Sequence, residues 1–369
     1  LRKPGATYMP VVNDEVKTMK RPTLRAIAEL ADVSVSTVSR FLRDDISLRA
    51  ETEQRIRAAM KHVGYDSAKP LMSGDTTAPP KRLVIGLIIP NSADGYSGTI
   101  MDEVVKAAAS YDMDVLVTSA LESPVQQAKC MQLFASGVAN GIITSGQLIA
   151  PQLLRSIIAK GVPVIIFDDK FQGDLPVDCV MVDNYSGAYQ ATSHLIHHGH
   201  QQIAFVGGIA ELHSTKERLR GWRDALARAG IDPDGQIVRM GEFSEQYGQA
   251  ILPHLVELTN PPTAVFAASD RIAIGIMMAA RQQKVSVPGD LSVVGFDDIE
   301  AASLISPRLT TVRTPLATMA RNSMKLMVER MADLNGATSD VIVPVALTPG
   351  ETVAPPMPAR SRETQAARS

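Results

Sequence analysis

The chain has 369 residues, 45% of them hydrophobic, enough for a small module and a larger two-lobed domain with separate cores. No apolar run approaches the roughly 20 residues that cross a bilayer, and no signal-peptide-like apolar core opens the chain, so a cytoplasmic protein with no membrane partner is expected. The net charge of -2 conceals an asymmetry: residues 1–82 hold 15 Lys and Arg against 10 Asp and Glu, and the remainder holds 22 against 29, a basic head on an acidic body that suits a polyanionic partner for the head alone.

In chain order, residues 1–19 show no helical or strand periodicity and read as an unstructured leader, with Met19 as a plausible native start. Residues 20–66 carry three helical patterns. Leu24, Ile27, Ala28 and Ala31 share one helical face; after a short turn at Asp32-Val33, Ser34 is placed to cap a second helix. In that helix Val38, Phe41 and Leu42 point back at the first, leaving Val35, Ser36, Ser39 and Arg40 outward. A third helix, near Ala50 to His62, ends at Gly64. Two crossed helices with a small turn form a helix-turn-helix, whose second helix lies in the major groove.

Residues 67–82, with Lys69-Pro70, Ser73-Gly74 and Ala78-Pro79-Pro80, read as a hinge or linker. Residues 83–350 then alternate short apolar strands with amphipathic helices. The strand signals are Leu83–Ile89, Val115–Thr118, Gly141–Thr144, Val162–Phe167, Cys179–Val182, Ile203–Val206, Ala264–Ala267 and Leu291–Val294. Fully apolar strands separated by helices predict parallel sheets covered on both faces, and this length fits two doubly wound lobes. Ligands of such folds bind beyond the carboxyl ends of the strands. Residues 351–369 read as a polar tail without a heptad repeat. Cys130 and Cys179 lie far apart without CxxC spacing, which predicts buried thiols rather than a zinc site or a disulfide.

The run Thr23 to Tyr65, with Val33-Ser34, Thr37-Val38-Ser39-Arg40 and Val63-Gly64-Tyr65, resembles the headpiece of the lac repressor and galactose repressor family. The resemblance implies that Val35, Ser36 and Arg40 read bases and that Ser34, Thr37 and Ser39 lie near phosphates, Arg40 having the geometry for a bidentate pair with guanine. It departs from the family after Tyr65: in place of a Pro-Asn pair and a hinge helix with a minor-groove leucine, the chain has Asp66 to Gly74. Leu71 or Met72 is the substitute wedge.

The resemblance continues to about Pro356 through an ordered series of motifs. These include Val182-Asp183-Asn184, His194-Leu195-Ile196, Ile203 to Gly208, Arg218 with Gly221, Pro262 to Phe266, Leu291 to Asp298 and Leu309 to Val312. It implies a periplasmic-binding-protein-like body, with a first lobe of 83–183 plus about 315–338 and a second of 184–314 plus about 339–350. Three crossings are expected near Asp183, Asp297 and Pro315. Sugar recognition calls for fixed carboxylates and guanidinium groups, which satisfy paired hydroxyls. Asp168, Arg218, Asp270 and Asp297 stand where such groups belong, the resemblance implies Phe243 for ring stacking, and Ser269 stands where many members have Asn.

The expectation is therefore a homodimeric regulator, most simply a repressor, that binds a palindromic double-stranded operator and responds to a sugar or sugar derivative, with no cofactor and no metal. The rival is a doubly wound enzyme acting on a sugar or nucleotide. No nucleophile elbow, GxGxxG or GxxxxGK[ST] phosphate loop, or paired acid-base set supports it. His197-His198-Gly199-His200 reads as a helix end and Gly turn rather than a metal site.

Overall fold

The computed structural model describes residues 24–42, 49–63, 82–145 and 149–357. It divides into two units, Leu1–Lys81 and Arg82–Ser369.

The described part of the first unit holds α1 (Leu24–Ala31), α2 (Val35–Leu42) and α3 (Ala50–His62). Ile27, Ala28 and Ala31 meet Val38, Ile56 and Ala59 in one small core, with Val33, Phe41 and Met60 around it. The turn between α1 and α2 passes through Asp32 at φ 51°, a left-handed position that Asp tolerates, and the Val33 amide donates to Ala28 O (3.0 Å). Ser34 Oγ accepts from the Thr37 amide (3.1 Å), starting α2 with an N-cap. Gly64, Leu71, Met72, the leader and the linker lie outside the described residues.

The second unit begins with β1 (Val84–Ile89), α4 (Gly95–Ala109), β2 (Asp114–Ser119), α5 (Pro124–Leu133), β3 (Gly141–Ser145), α6 (Pro151–Ile158), β4 (Val164–Phe167) and β5 (Asp178–Val182). It continues with α7 (Asn184–His197), β6 (Ile203–Gly207), α8 (His213–Arg228), β7 (Val238–Met240), α9 (Glu245–Val256), β8 (Ala264–Ala267), α10 (Asp270–Gln282), β9 (Ser292–Val294), α11 (Glu300–Leu304) and β10 (Thr311–Arg313). The chain ends with α12 (Leu316–Ala332), β11 (Asp340–Val343) and β12 (Ala346–Thr348).

Two parallel sheets result, one per lobe. The first has order β11-β5-β4-β3-β1-β2 and the second β7-β6-β8-β9. β3, β4 and β5 are buried along their whole length, as strands covered by helices on both faces must be, whereas the edge strand β2 leaves Leu116 and Val117 exposed. In each sheet the strand order reverses in the middle, between β1 and β3 and between β6 and β8. Such a reversal opens a crevice at the carboxyl ends of the strands. Phe205 packs against Trp222 and Phe266, each with ring centroids 5.7 Å away, at the centre of the second lobe.

Helices α9 and α10 touch backbone to backbone. A Cβ on Gly248 would lie 2.2 Å from Ile272 O and one on Gly275 would lie 2.1 Å from Glu245 O, so only glycine fits at either position. This contact brings the start of α9 beside the start of α10.

Three sequence expectations are corrected. The chain passes between lobes at 182–184, 313–316 and 343–346, not near Asp297: after β9 it stays in the second lobe, whose core includes Ala302 and Leu309. The first lobe extends past 338, because β11 pairs with β5 through Asp340↔Cys179 to Val343↔Val182 and completes that sheet. Finally, residues 351–356 are not a free polar tail. Thr352 is fully buried, its hydroxyl donates to Val293 O (2.6 Å) and its carbonyl accepts from the Val293 amide (2.9 Å). His200, buried, has Nε2 2.9 Å from Ala354 O and Nδ1 2.8 Å from Thr263 Oγ1, so it pins this segment to the lobe. Both cysteines are buried and free. No described helix is long and apolar enough to cross a membrane.

Candidate binding pocket and nucleic-acid interface

A pocket of about 180 Å³ in the second unit lies where the carboxyl ends of strands from both lobes meet. From the first lobe, the loop after β1 supplies Asp94, the first turn of α4 supplies Tyr96, the loop after β2 supplies Glu122, β3 ends in Ser145, and Asp168 and Asp169 follow β4. From the second, the region after β6 supplies Ser214 and Arg218, the loop after β7 supplies Glu242 and Phe243, Ser269 and Arg271 follow β8, and Asp297 follows β9.

Arg218 is the buried centre. Its Nε donates to Asn184 Oδ1 (2.8 Å), Nη1 donates to Ala268 O, and Nη2 lies 3.6 Å from Asp297 Oδ1. The guanidinium lies 3.7 Å from the Phe296 ring centroid and 6.0 Å from that of Phe243, so flat aromatic surface covers what hydrogen bonds leave open. Burial pushes the Asp297 carboxyl well up, against the pull of Arg218, and pushes Asp168 up to about 6. Asp168 and Asp297 hold backbone angles φ of 68° and 113°, and Glu122 at the pocket mouth has φ 53°. Left-handed backbone at non-glycine residues is strain that concentrates at ligand sites.

Polar groups short of protein partners face this space. Ser145 Oγ is buried and unpaired, and the buried Asp168 carboxylate and Tyr96 hydroxyl have no partner beyond each other. The lobes are tied across the pocket by Asp169, whose carboxylate accepts from the Ser214 amide (3.2 Å) and hydroxyl (3.3 Å). They are tied again by Arg271, which grips Glu245 through two 2.9 Å hydrogen bonds and lies 3.7 Å from Asp94 and 3.6 Å from Glu122.

Asp168, Arg218, Phe243, Ser269 and Asp297 thus come together in one pocket. Asp270 does not join them. It follows the cap residue Ser269, which spends its hydroxyl on the Ile272 amide (3.3 Å), and its own fully buried carboxylate turns into the lobe to accept from Thr311 Oγ1 and the Ile299 amide (2.9 Å). Residue 271, one step further around the helix, faces the pocket instead. Sequence reasoning missed Arg271, Asp94, Glu122, Glu242, Tyr96, Ser145, Asp169 and Ser214. A signal existed for the first three: Asp94 and Glu122 follow strand signals, and a basic residue in a helix's first turn opposes the helix dipole unless carboxylates surround it.

In the first unit Val35 is 44% exposed, and the hydroxyls of Ser34 and Thr37 lie 2.7 Å apart at the start of α2. Ser36, Ser39 and Arg40 lie on the same helix, but their side chains fall outside the described residues.

Residues 23–67 match the family described as bacterial regulatory proteins, lacI family, and residues 192–353 match the periplasmic binding protein-like domain. The chain is 29% identical over 309 residues to the HTH-type transcriptional repressor CytR of Escherichia coli (strain K12), covering 84% of this chain and 89% of that protein. Among solved structures, it is similar to the transcriptional regulator CelR in complex with cellobiose, with TM-score 0.68 and 27% identity over 90% of this chain and 100% of that one. It is likewise similar to the lac repressor dimer bound to operator and the anti-inducer ONPF, with TM-score 0.66 and 26% identity over 91% of this chain and 100% of that one.

Proposed function

The chain belongs to the lacI family of bacterial regulatory proteins, DNA-binding regulators of transcription, and on that premise we propose that it is a sugar-responsive repressor acting in the cytoplasm as a homodimer. Two copies present two α2 helices to the half-sites of a palindromic operator, which mirrors the two-fold symmetry of the protein. Ser34, Thr37 and Ser39 meet phosphates, Val35, Ser36 and Arg40 meet base edges, and Leu71 or Met72 serves the hinge. A small polyhydroxylated ligand occupies the pocket between the lobes, held by Asp168, Arg218, Ser269 and Asp297 and stacked on Phe243.

The observation that supports this reading best is the pocket itself. Fixed carboxylates and a guanidinium converge from the strand ends of both lobes, so a ligand there contacts both and has different affinity for different lobe arrangements. Only such a difference lets a ligand shift operator affinity. Among the described residues no acid-base pair with a nucleophile accompanies these groups, and we read the chain as a regulator rather than an enzyme.

The test is binding of the purified full chain to its own upstream DNA at fixed salt, with and without a panel of sugars. Specific binding relieved by one compound is the expected result. Failure to prefer any sequence in a genome-wide selection would overturn the reading.

A further inference from the structure

We propose that the pocket excludes anions: its ligand is a single-ring polyhydroxylated molecule carrying neither phosphate nor carboxylate. This deepens the sugar-responsive reading above and rests on it. An anionic ligand needs a free positive charge or free backbone amides at a helix N-terminus. Among the described lining residues, six carboxylates stand against two guanidinium groups that already bond to this chain.

Both of the pocket's cations already bond to the protein. Arg218 donates to Asn184 and the Ala268 carbonyl and lies 3.6 Å from Asp297, which leaves its remaining N–H groups for ligand hydroxyls. Arg271 holds Glu245 through two 2.9 Å bonds, with Asp94 and Glu122 on its remaining nitrogen at 3.7 Å and 3.6 Å, so three carboxylates surround one guanidinium. The helix N-termini at the pocket are partly occupied as well. Asp94 takes the Ser97 amide of α4 (2.6 Å), Asp169 takes the Ser214 amide of α8 (3.2 Å), and Ser269 takes the Ile272 amide of α10 (3.3 Å). At each of these helix starts one first-turn amide already has an oxygen of this chain.

What stays short of partners is of the opposite kind. The buried Asp168 carboxylate has only the Tyr96 hydroxyl beside it as a donor, and the Tyr96 and Ser145 hydroxyls at the same space both donate and accept. Ligand hydroxyls satisfy such a set, since each donates once and accepts as well; phosphate oxygens bring acceptors to a carboxylate. The environment that raises Asp168 to about 6 acts in the same direction, because surroundings that disfavour negative charge on a side chain disfavour it on a ligand. The space of about 180 Å³ is smaller than the roughly 300–1,000 Å³ of pockets for drug-sized ligands, which suits one ring rather than two.

The test is calorimetric titration of the full chain with neutral hexoses and pentoses, each beside its own phosphate ester and its own sugar acid. A neutral sugar is expected to bind, and its phosphate and acid forms to bind roughly 100-fold more weakly or not at all. A phosphate ester or sugar acid that binds as tightly as its neutral parent overturns the inference and leaves the sugar reading standing. Binding by no member of any set overturns both. Glu245→Gln frees part of Arg271 and is expected to narrow the gap between a neutral sugar and its phosphate about tenfold; an unchanged gap shows that the neutralised Arg271 is not what excludes anions.

Discussion

Asp168 shows what a buried carboxylate with few partners costs and what it can do. Burial holds the group at about 6 despite the Tyr96 hydroxyl and Arg218 beside it, so Asp168→Asn removes a charge the fold disfavours while keeping the shape. We expect the variant to fold with undiminished stability at pH 8 and to lose at least about tenfold in sugar affinity, measured by calorimetry. Asp270 provides a test of sign. Burial raises it to about 7, so the folded state binds its proton more tightly than the unfolded chain, and the stability from that proton is complete below about 4 and lost as pH rises to 7. Urea unfolding of wild type against Asp270→Asn should show a difference that changes across that window by at most about 4 kcal/mol and is flat above it. Asp270 also marks where residue-scale reading stopped. Both it and Arg271 stand at the start of one predicted helix, and the choice of which faces the cleft depends on the rotation of α10, which packing against α9, β8 and β9 fixes. Arg218 and Asp297 were legible because strand signals ended close to them.

Caps and close approaches govern at the scale of the elements. Ser34 caps α2, so Ser34→Ala is expected to cost the first unit about 1 kcal/mol and to lower its melting temperature, read by circular dichroism. Gly275→Ala places a methyl 2.1 Å from Glu245 O and forces α9 away from α10; a loss of about 1–3 kcal/mol in urea unfolding, together with altered sugar affinity, is expected because the same contact sets Glu245 beside Arg271. The eight strong strands were legible from their Val and Ile runs. Strands β7, β10 and β12 were not, since each is three residues long and lacks the adjacent Val or Ile run that marks the equally short β9. β11 was misplaced between the lobes for a different reason: its partner β5 is distant in sequence, and pairing rather than local pattern decides which lobe a returning strand joins. The 351–356 segment reads as polar by composition, yet Thr352 is buried because its hydroxyl and backbone both bond to the second lobe.

For the whole molecule, the central claim is coupling between a pocket in one unit and DNA binding by another. The acidic body and basic head separate the two functions by charge, and the head's affinity should fall steeply with salt as phosphate contacts release counterions. Arg40→Ala should weaken binding to the specific site far more than to unrelated DNA; equal losses in fluorescence anisotropy would remove Arg40 from the base-reading set. Coupling itself is most directly read from operator affinity of wild type and Asp168→Asn at one salt concentration, across a titration of the neutral sugar that binds the pocket. The account requires the sugar to weaken operator binding by wild type, with Asp168→Asn binding the same operator equally well and needing at least about tenfold more sugar for release. Operator affinity that is identical with and without saturating sugar, in protein shown to bind that sugar, would contradict it.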